Sequence, residues 1–400
     1  MRTLVILHSR AAAGPPRHVF PWLSPLAERG SVAVVVPAAG SAADLYARIG
    51  EPIVLDFEPL TYPRSFRALG PYAARLAADV RRFSGLIRQL RPDLVVVVTA
   101  SVPAALVAAR LQRVPSAVFV GEILDKGVVV SRGRSIAAAA TARLTAALAD
   151  GVVCCSDAVA RQFTPVGSRL LRTIYPGVDG AYADGDGARF RALHGLAAAE
   201  PCLAVIGNVT PARGQDVAIR ALPGLRKDFP AVRCVIAGVP HPQTGDVAYR
   251  QELARLARRL GVDDVVSFVG LVDPIADLYA AADVVVNPAR FNEPFGRVAV
   301  EALSAGRPVV AAGVGAIPEV VRDGREALLF PAEDHEALRR AVARVWREPG
   351  LREELVRNGR SRVRDDFRED RAVEAFADVV DRVLAARQPA PAGTSAATSR

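Results

Sequence analysis

The stretch Asn292-Glu-Pro-Phe-Gly-Arg-Val-Ala-Val-Glu301-Ala-Leu-Ser-Ala-Gly-Arg-Pro-Val-Val310 decides the reading of this chain. It follows an apolar run, Asp283-Val-Val-Val-Asn-Pro288, and leads into another at Val309. The implied order is strand, loop, helix, strand. Pro294 suits the first position of the helix, where a missing N–H costs nothing. Glu293 then sits just before the helix, beside the free amides of Phe295 and Gly296. Glu301 lies roughly 10 Å farther along the axis. Such a helix start favours diphosphate oxygens, and a carboxylate at each end accepts hydrogen bonds from vicinal hydroxyls. The plainer alternative is an acidic helix start with a solvated glutamate farther in, and two glutamates eight apart, taken alone, favour it.

Outward from this segment the pattern is repeated β-then-α. The first half carries strand-like runs at Leu4–Leu7, Val32–Val36, Leu94–Val98, Ala117–Val120 and Val152–Cys155, with its longest helical stretch from about Ala73 to Leu90. The second half carries them at Leu203–Ile206, Arg233–Ala237, Val265–Val269, Val284–Val286, Val309–Ala311 and Ala327–Phe330. Strands apolar on both faces imply parallel sheets covered by helices, with ligands at the carboxyl ends. The apolar rhythm breaks over Asp179–Glu200, and after Asp334 the chain reads as helical to about Ala386. The expected organisation is α/β, two Rossmann-like doubly wound domains facing across a cleft. The first spans 1–180, a connection follows at 181–200, and the second spans 201–366. A helix over 367–386 is placed to pack back on the first domain, and 387–400 reads as a disordered tail.

Composition narrows the function. Four hundred residues, 51% of them apolar, suit two cores of ordinary size. Cys154, Cys155, Cys202 and Cys234 have no C-x-x-C spacing and read as buried thiols; no two histidines stand at i, i+4, so zinc finds little support. The net charge of +9 rests on arginine, since Lys126 and Lys227 are the only lysines. Acidic and basic residues are interspersed and no aromatic-plus-basic motif appears, which argues against nucleic acid. No run reads as a signal peptide or membrane span, so the expected location is cytoplasmic.

The second half resembles glycosyltransferase family 4, retaining enzymes of the GT-B fold, through more than its E-x7-E segment. Val205-Ile-Gly207-Asn208-Val-Thr-Pro-Ala-Arg213-Gly214-Gln-Asp216 is similar to that family's first strand and loop. Val235-Ile-Ala-Gly238, Val266-Ser-Phe-Val-Gly270, Ala281-Ala-Asp-Val-Val-Val-Asn-Pro288, Gly313-Val-Gly-Ala-Ile-Pro-Glu319 and Asp323-Gly324 follow in the family's order. The resemblance implies a nucleotide diphosphate sugar as donor, with no cofactor, and a glycan, glycolipid or small molecule as acceptor. It assigns the donor diphosphate to a basic pair, here Arg213 and the uncharged Asn208. It assigns the donor sugar to Glu293 and the amides of Phe295 and Gly296, and the ribose to Glu301. Arg213 and Glu293 are then the catalytic candidates. The implied mechanism retains the anomeric configuration, the acceptor hydroxyl attacking from the face that the diphosphate leaves.

In the first half, Gly14 stands where the family has a glycine-rich turn near the phosphates. Val153-Cys-Cys-Ser156-Asp-Ala-Val and Tyr175-Pro-Gly177-Val-Asp179 resemble the approach to the domain junction and read as structural. Glu122, in Phe119-Val-Gly-Glu122-Ile, is an acceptor-side candidate, and a solvated carboxylate is the alternative. His8, at the end of the first strand, is another, against a satisfied buried histidine. Asp184-Gly-Asp186 reads as a turn and not as a metal site, so the reaction is expected to need no metal. Arg64, Arg67, Arg75, Arg81, Arg82, Arg88 and Arg91, with Lys126, Arg132 and Arg134, suggest peripheral contact with an anionic membrane on its inner face; a solvated basic surface is the alternative. Two rivals remain, a non-catalytic partner protein of the same fold, suggested by Asn208, and a nucleotide-sugar epimerase.

Overall fold

A computed structural model describes residues 1–12, 14–59, 69–124, 132–164, 170–178, 180–240 and 247–386. The side chains of 132–134 lie outside that description, as do Arg64, Arg67, Lys126, Asp179 and the tail 387–400.

Among the described residues the first sheet has seven strands: β1 (Arg2–Leu7), β2 (Ser31–Val36), β3 (Glu51–Val54), β4 (Leu94–Val98), β5 (Ser116–Val120), β6 (Gly151–Cys154) and β7 (Leu171–Thr173). Their spatial order is β3-β2-β1-β4-β5-β6-β7, every pairing parallel. The second sheet has six: β8 (Cys202–Ile206), β9 (Arg233–Ala237), β10 (Val266–Gly270), β11 (Val284–Asn287), β12 (Val309–Ala312) and β13 (Leu328–Phe330). They run β10-β9-β8-β11-β12-β13, again parallel. The valine-rich central strands are buried on both faces because helices cover both sides. In each sheet the order reverses once, between β1 and β4 and between β8 and β11, and the crevices that accept ligands open at those points.

Two strands were not anticipated from the sequence. Glu51-Pro-Ile-Val is an edge strand whose proline and partly exposed residues hide any apolar rhythm, and Leu171–Thr173 is only three residues long. The connection at 181–200 is also more ordered than its Gly and Ala suggest. It holds the helix Gly187–Leu193, whose N-cap Asp186 accepts from the Arg189 amide at 2.8 Å. The Asp186 amide donates in turn to Asp277 at 2.8 Å.

The last helix, Glu369–Ala385, leaves the second domain and lies against the helix Pro15–Glu28. Trp22 meets Phe119 edge-on at 5.2 Å and Phe376 of that last helix at 5.7 Å. The two crossings between domains run side by side, with the Val178 amide donating to the Phe367 carbonyl at 2.9 Å.

Candidate functional site

The carboxyl end of β8 runs through Gly207 and the exposed Asn208 into a single 3-10 turn, Pro211–Arg213. Gly214 ends that turn at φ 70°, with its α-carbon facing the Pro288 carbonyl so closely that a Cβ would lie 2.0 Å from the oxygen. A side chain there would push the loops after β8 and β11 apart. Arg290 fixes the turn from behind, donating to the Pro211 carbonyl at 2.9 Å and bidentately to Asp216 at 2.6 and 2.7 Å. Burial alone would raise the Asp216 pKa, but Arg290 and the Tyr249 hydroxyl hold it below the usual carboxylate range. The braced turn presents Arg213, whose Nη1 donates to Glu293 Oε2 at 2.7 Å. The Arg213 guanidinium also lies over the Phe291 ring, 4.9 Å from its centre.

Glu293 is buried and sits on an irregular segment, not at a helix start. The helix begins at Arg297, capped by Gly296, so Pro294 is not its first residue. Gly296 has φ 92°, and a Cβ on it would come within 2.5 Å of Ile317 Cδ1. The left-handed turn at Gly296 delays the helix, which the Glu-Pro sequence could not reveal. The amides of Phe295, Gly296, Arg297 and Val298 find no backbone acceptor among the described residues. Amides left over at a helix start are the groups that attract anions. The Phe295 ring itself is buried against Tyr175 and Phe367, so this residue can contribute only its backbone to a ligand.

Glu301 is buried and almost fully occupied by protein. Its Oε1 accepts from Tyr182 Oη at 2.7 Å and from Arg297 Nε, and its Oε2 accepts from Tyr279 Oη at 2.7 Å. Burial first, and then the Glu301 charge, push the Tyr182 and Tyr279 hydroxyls upward in pKa. Arg297 stands four residues before Glu301, the helical ion-pair spacing, and was legible on that ground. The two tyrosines are 119 and 22 residues from Glu301, with no local signal to join them.

On the opposite wall, His8 follows β1, and its Nδ1 lies 3.2 Å from the Val98 carbonyl. Burial lowers its pKa to about 4, and that hydrogen bond opposes the shift. Gly14 is exposed and caps the helix Pro15–Glu28 at φ 58°. His18, in the first turn of that helix, has its pKa lowered to about 3, by burial and then by Arg297 and Arg17. The helix start of one domain therefore faces the Arg297 side of the other. Glu122 is no freely solvated carboxylate: Oε1 accepts from the Ala100 amide and Oε2 from the Gly121 amide, both at 3.0 Å. It ties the ends of β4 and β5 together on the first-domain side of the cleft.

The floor of the cleft is closed by contacts between domains. Glu319 accepts from the Ala158 amide at 2.9 Å and from the Tyr175 hydroxyl at 3.4 Å. Cys155 Sγ approaches the Pro294 carbonyl at 3.5 Å. Among the described residues, no group of three or more His, Cys, Asp and Glu is arranged to hold a metal ion.

Comparison with known proteins agrees with this geometry. A family model described as "Glycosyltransferase Family 4" matches residues 13–181, and one described as "Glycosyl transferases group 1" matches residues 188–362. The D-inositol 3-phosphate glycosyltransferase of Actinosynnema mirum is 37% identical over 236 residues, 57% of this chain and 56% of that protein. The protein of the same name from Streptomyces bingchenggensis is 35% identical over 223 residues, 52% of this chain and 47% of that protein. These matches span about half the length of the relatives. HepE of Anabaena, solved with UDP and glucose, superposes with a TM-score of 0.78 at 23% identity, covering 95% of this chain and 99% of that one. Sucrose-phosphate synthase of Thermosynechococcus elongatus superposes with a TM-score of 0.76 at 22% identity, covering 96% and 100%. With two all-parallel sheets, each with one switch point, and family matches over both halves, the chain has the GT-B fold and belongs to glycosyltransferase family 4.

Proposed function

We propose that this protein transfers a sugar from a nucleotide diphosphate donor to a carbohydrate, lipid-linked or small-molecule acceptor, with retention at the anomeric carbon and without a metal ion. The observation that carries the reading is the Arg213–Glu293 pair beside the amides of Phe295 to Val298, which have no backbone acceptor among the described residues, at the switch point of the second sheet. The amides and the helix dipole would hold the diphosphate, and Arg213 would offset charge on the leaving group. Asn208 stands at the mouth of the same loop and would add a hydrogen bond but no charge. Glu293 would orient the donor sugar and steady positive charge near its anomeric carbon. Glu301 would meet the ribose through the one acceptor position on Oε2 that its partners leave free.

Gly14 and the helix it caps would approach the diphosphate from the first domain. His8 and the wall anchored by Glu122 would line the acceptor side. The acceptor hydroxyl would then attack from the face the diphosphate leaves, and the departing phosphate oxygen would take its proton. The protein's work is orientation and charge stabilisation in a site from which water is shed.

HepE, solved with UDP-glucose, makes a uracil nucleotide the first donor to try. Incubating the protein with UDP-, GDP-, ADP- and dTDP-sugars and a panel of acceptors tests the reading directly. Acceptor-dependent release of one nucleoside diphosphate, undiminished by EDTA, is expected. Release that requires a divalent ion would overturn the metal-free part, and epimerised donor without release would favour a nucleotide-sugar epimerase.

We place the reaction in the cytoplasm, at or near the inner face of the membrane. Among the described residues no helix is long and apolar enough to cross a membrane. Of the basic cluster on the helix Leu69–Leu90, Arg75 and Arg82 pair with Glu58 and Asp79. Arg81, Arg88 and Arg91 are exposed and would face anionic headgroups.

A further inference from the structure

We infer that Arg297 is a further ligand of the donor diphosphate, held in position by Glu301 and Tyr182; this rests on the nucleotide-sugar reading above. Arg297 opens the helix Arg297–Ser304, directly after the amides of Phe295 and Gly296. Its Nε is taken by Glu301 Oε1, and its Nη2 donates to the Tyr182 hydroxyl at 3.0 Å. Its Nη1 has no acceptor among the described residues, and the side chain keeps 25% of its surface exposed. Burial opposes its charge, but Glu301 and Tyr182 outweigh that effect and hold its pKa above the usual arginine value.

What faces it is informative. His18 of the first domain is held neutral by burial and by two cations, Arg297 and Arg17. Positive groups from both domains thus converge on an uncharged imidazole, and an anion between them would relieve their mutual repulsion. A diphosphate lying along the amides after Glu293 would offer an oxygen to Nη1, making a charge-assisted hydrogen bond. Glu301 and Tyr182 fix the plane of the guanidinium in advance, so little ordering is left for the moment of binding. In this arrangement Arg297 supplies the cation that Asn208 does not.

The test is calorimetric titration of the full-length wild type and Arg297→Met with whichever of UDP, GDP, ADP and dTDP stabilises the wild type, and with the matching nucleoside by displacement. The variant is expected to lose about ten- to hundredfold in diphosphate affinity, the worth of a charged hydrogen bond. Its nucleoside affinity should fall by much less, so that the loss lies in the diphosphate increment. Unchanged diphosphate affinity overturns the inference. Equal losses for diphosphate and nucleoside also overturn it, because a residue that only neutralises Glu301 would disturb the ribose end alike. Should Arg297→Met fail to fold, with Glu301 left buried and uncompensated, the double variant Arg297→Met/Glu301→Gln removes both charges and is read by the same comparison. A wild type that binds none of the four nucleotides overturns the donor reading itself; wild-type binding with an unaltered diphosphate increment in the variants overturns only the role of Arg297.

Discussion

Arg213 Nη1 and Glu293 Oε2 meet at 2.7 Å, joining the loop after β8 to the loop after β11, with the arginine 30% and the glutamate 9% exposed. The pair holds a cation and a carboxylate in fixed relation before any ligand arrives. That preorganisation is what a site needs to stabilise charge without reorganising at the moment of reaction.

Glu293→Gln preserves the shape of this pair and removes its negative charge. Turnover is expected to fall about a hundredfold, in the range seen when one preorganised group is lost from a transition-state site. Nucleoside diphosphate affinity should hold or improve, since a neutral Gln no longer offsets the Arg213 charge. Steady-state kinetics beside calorimetry separates the two effects. Full turnover in Glu293→Gln, with loss in Glu301→Ala, would show that Glu293 does not act on the sugar.

Gly296→Ala should destabilise the protein. The new Cβ would sit 2.5 Å from Ile317 Cδ1, at a φ of 92° that side chains avoid. A loss of about 1–3 kcal/mol is expected from the strained backbone, visible in denaturant unfolding. Ile317 is fully buried, so Ile317→Ala carries its own cost, and the steric part is read as the coupling between the two changes in a double-mutant cycle. A Gly296→Ala protein as stable as wild type would mean that this turn is not held as described.

Glu319→Ala removes two contacts across the floor of the cleft, to the Ala158 amide and to the Tyr175 hydroxyl. The Ala158 amide is left without its carboxylate acceptor, a loss of about 1–3 kcal/mol. Limited proteolysis should cut the variant faster than wild type near the domain crossings. Identical cleavage rates and stability would show that the two domains do not depend on this contact.

Stability should fall as pH drops below neutrality. His8 and His18 have folded-state pKa values of about 4 and about 3, against 6.5 for a free histidine. The unfolded chain therefore takes up protons near pH 6.5 that the folded chain refuses until pH 4 or lower. Stability is lost over that window, because the unfolded state binds more protons there. Urea unfolding at about pH 7 and about pH 4.5 should show the difference, and His8→Gln should reduce it. Equal stability at the two pH values would contradict the burial of these rings.

The six strands of the second sheet were legible because all are short apolar runs punctuated by Gly, Pro or Asp, the signature of buried parallel strands. Glu293 and Arg213 were assigned to one donor site only through the resemblance, and their direct contact was not foreseen, since 80 residues separate them. The start of the helix after Glu293 was misplaced because a proline normally marks a helix start, and the Gly296 conformation depends on packing against Ile317. The occupation of Glu301 was hidden for a related reason. Tyr182 lies in a connection that reads as irregular, and Tyr279 lies on a separate helix; only the folded chain brings their hydroxyls to one carboxylate. In the first domain, Glu122 was placed at the end of β5, but nothing in its neighbours told that both its oxygens would be spent on amides of two different loops.

The most direct test of a nucleotide-donor site in this cleft is thermal unfolding of the purified protein with UDP, GDP, ADP and dTDP in turn, each with and without EDTA. One nucleoside diphosphate is expected to raise the midpoint, since a ligand of the folded state stabilises it by mass action, and the shift should survive EDTA. No shift with any of the four would contradict the account, and would mark Asn208 as disabling in a chain that keeps the fold as a non-catalytic partner.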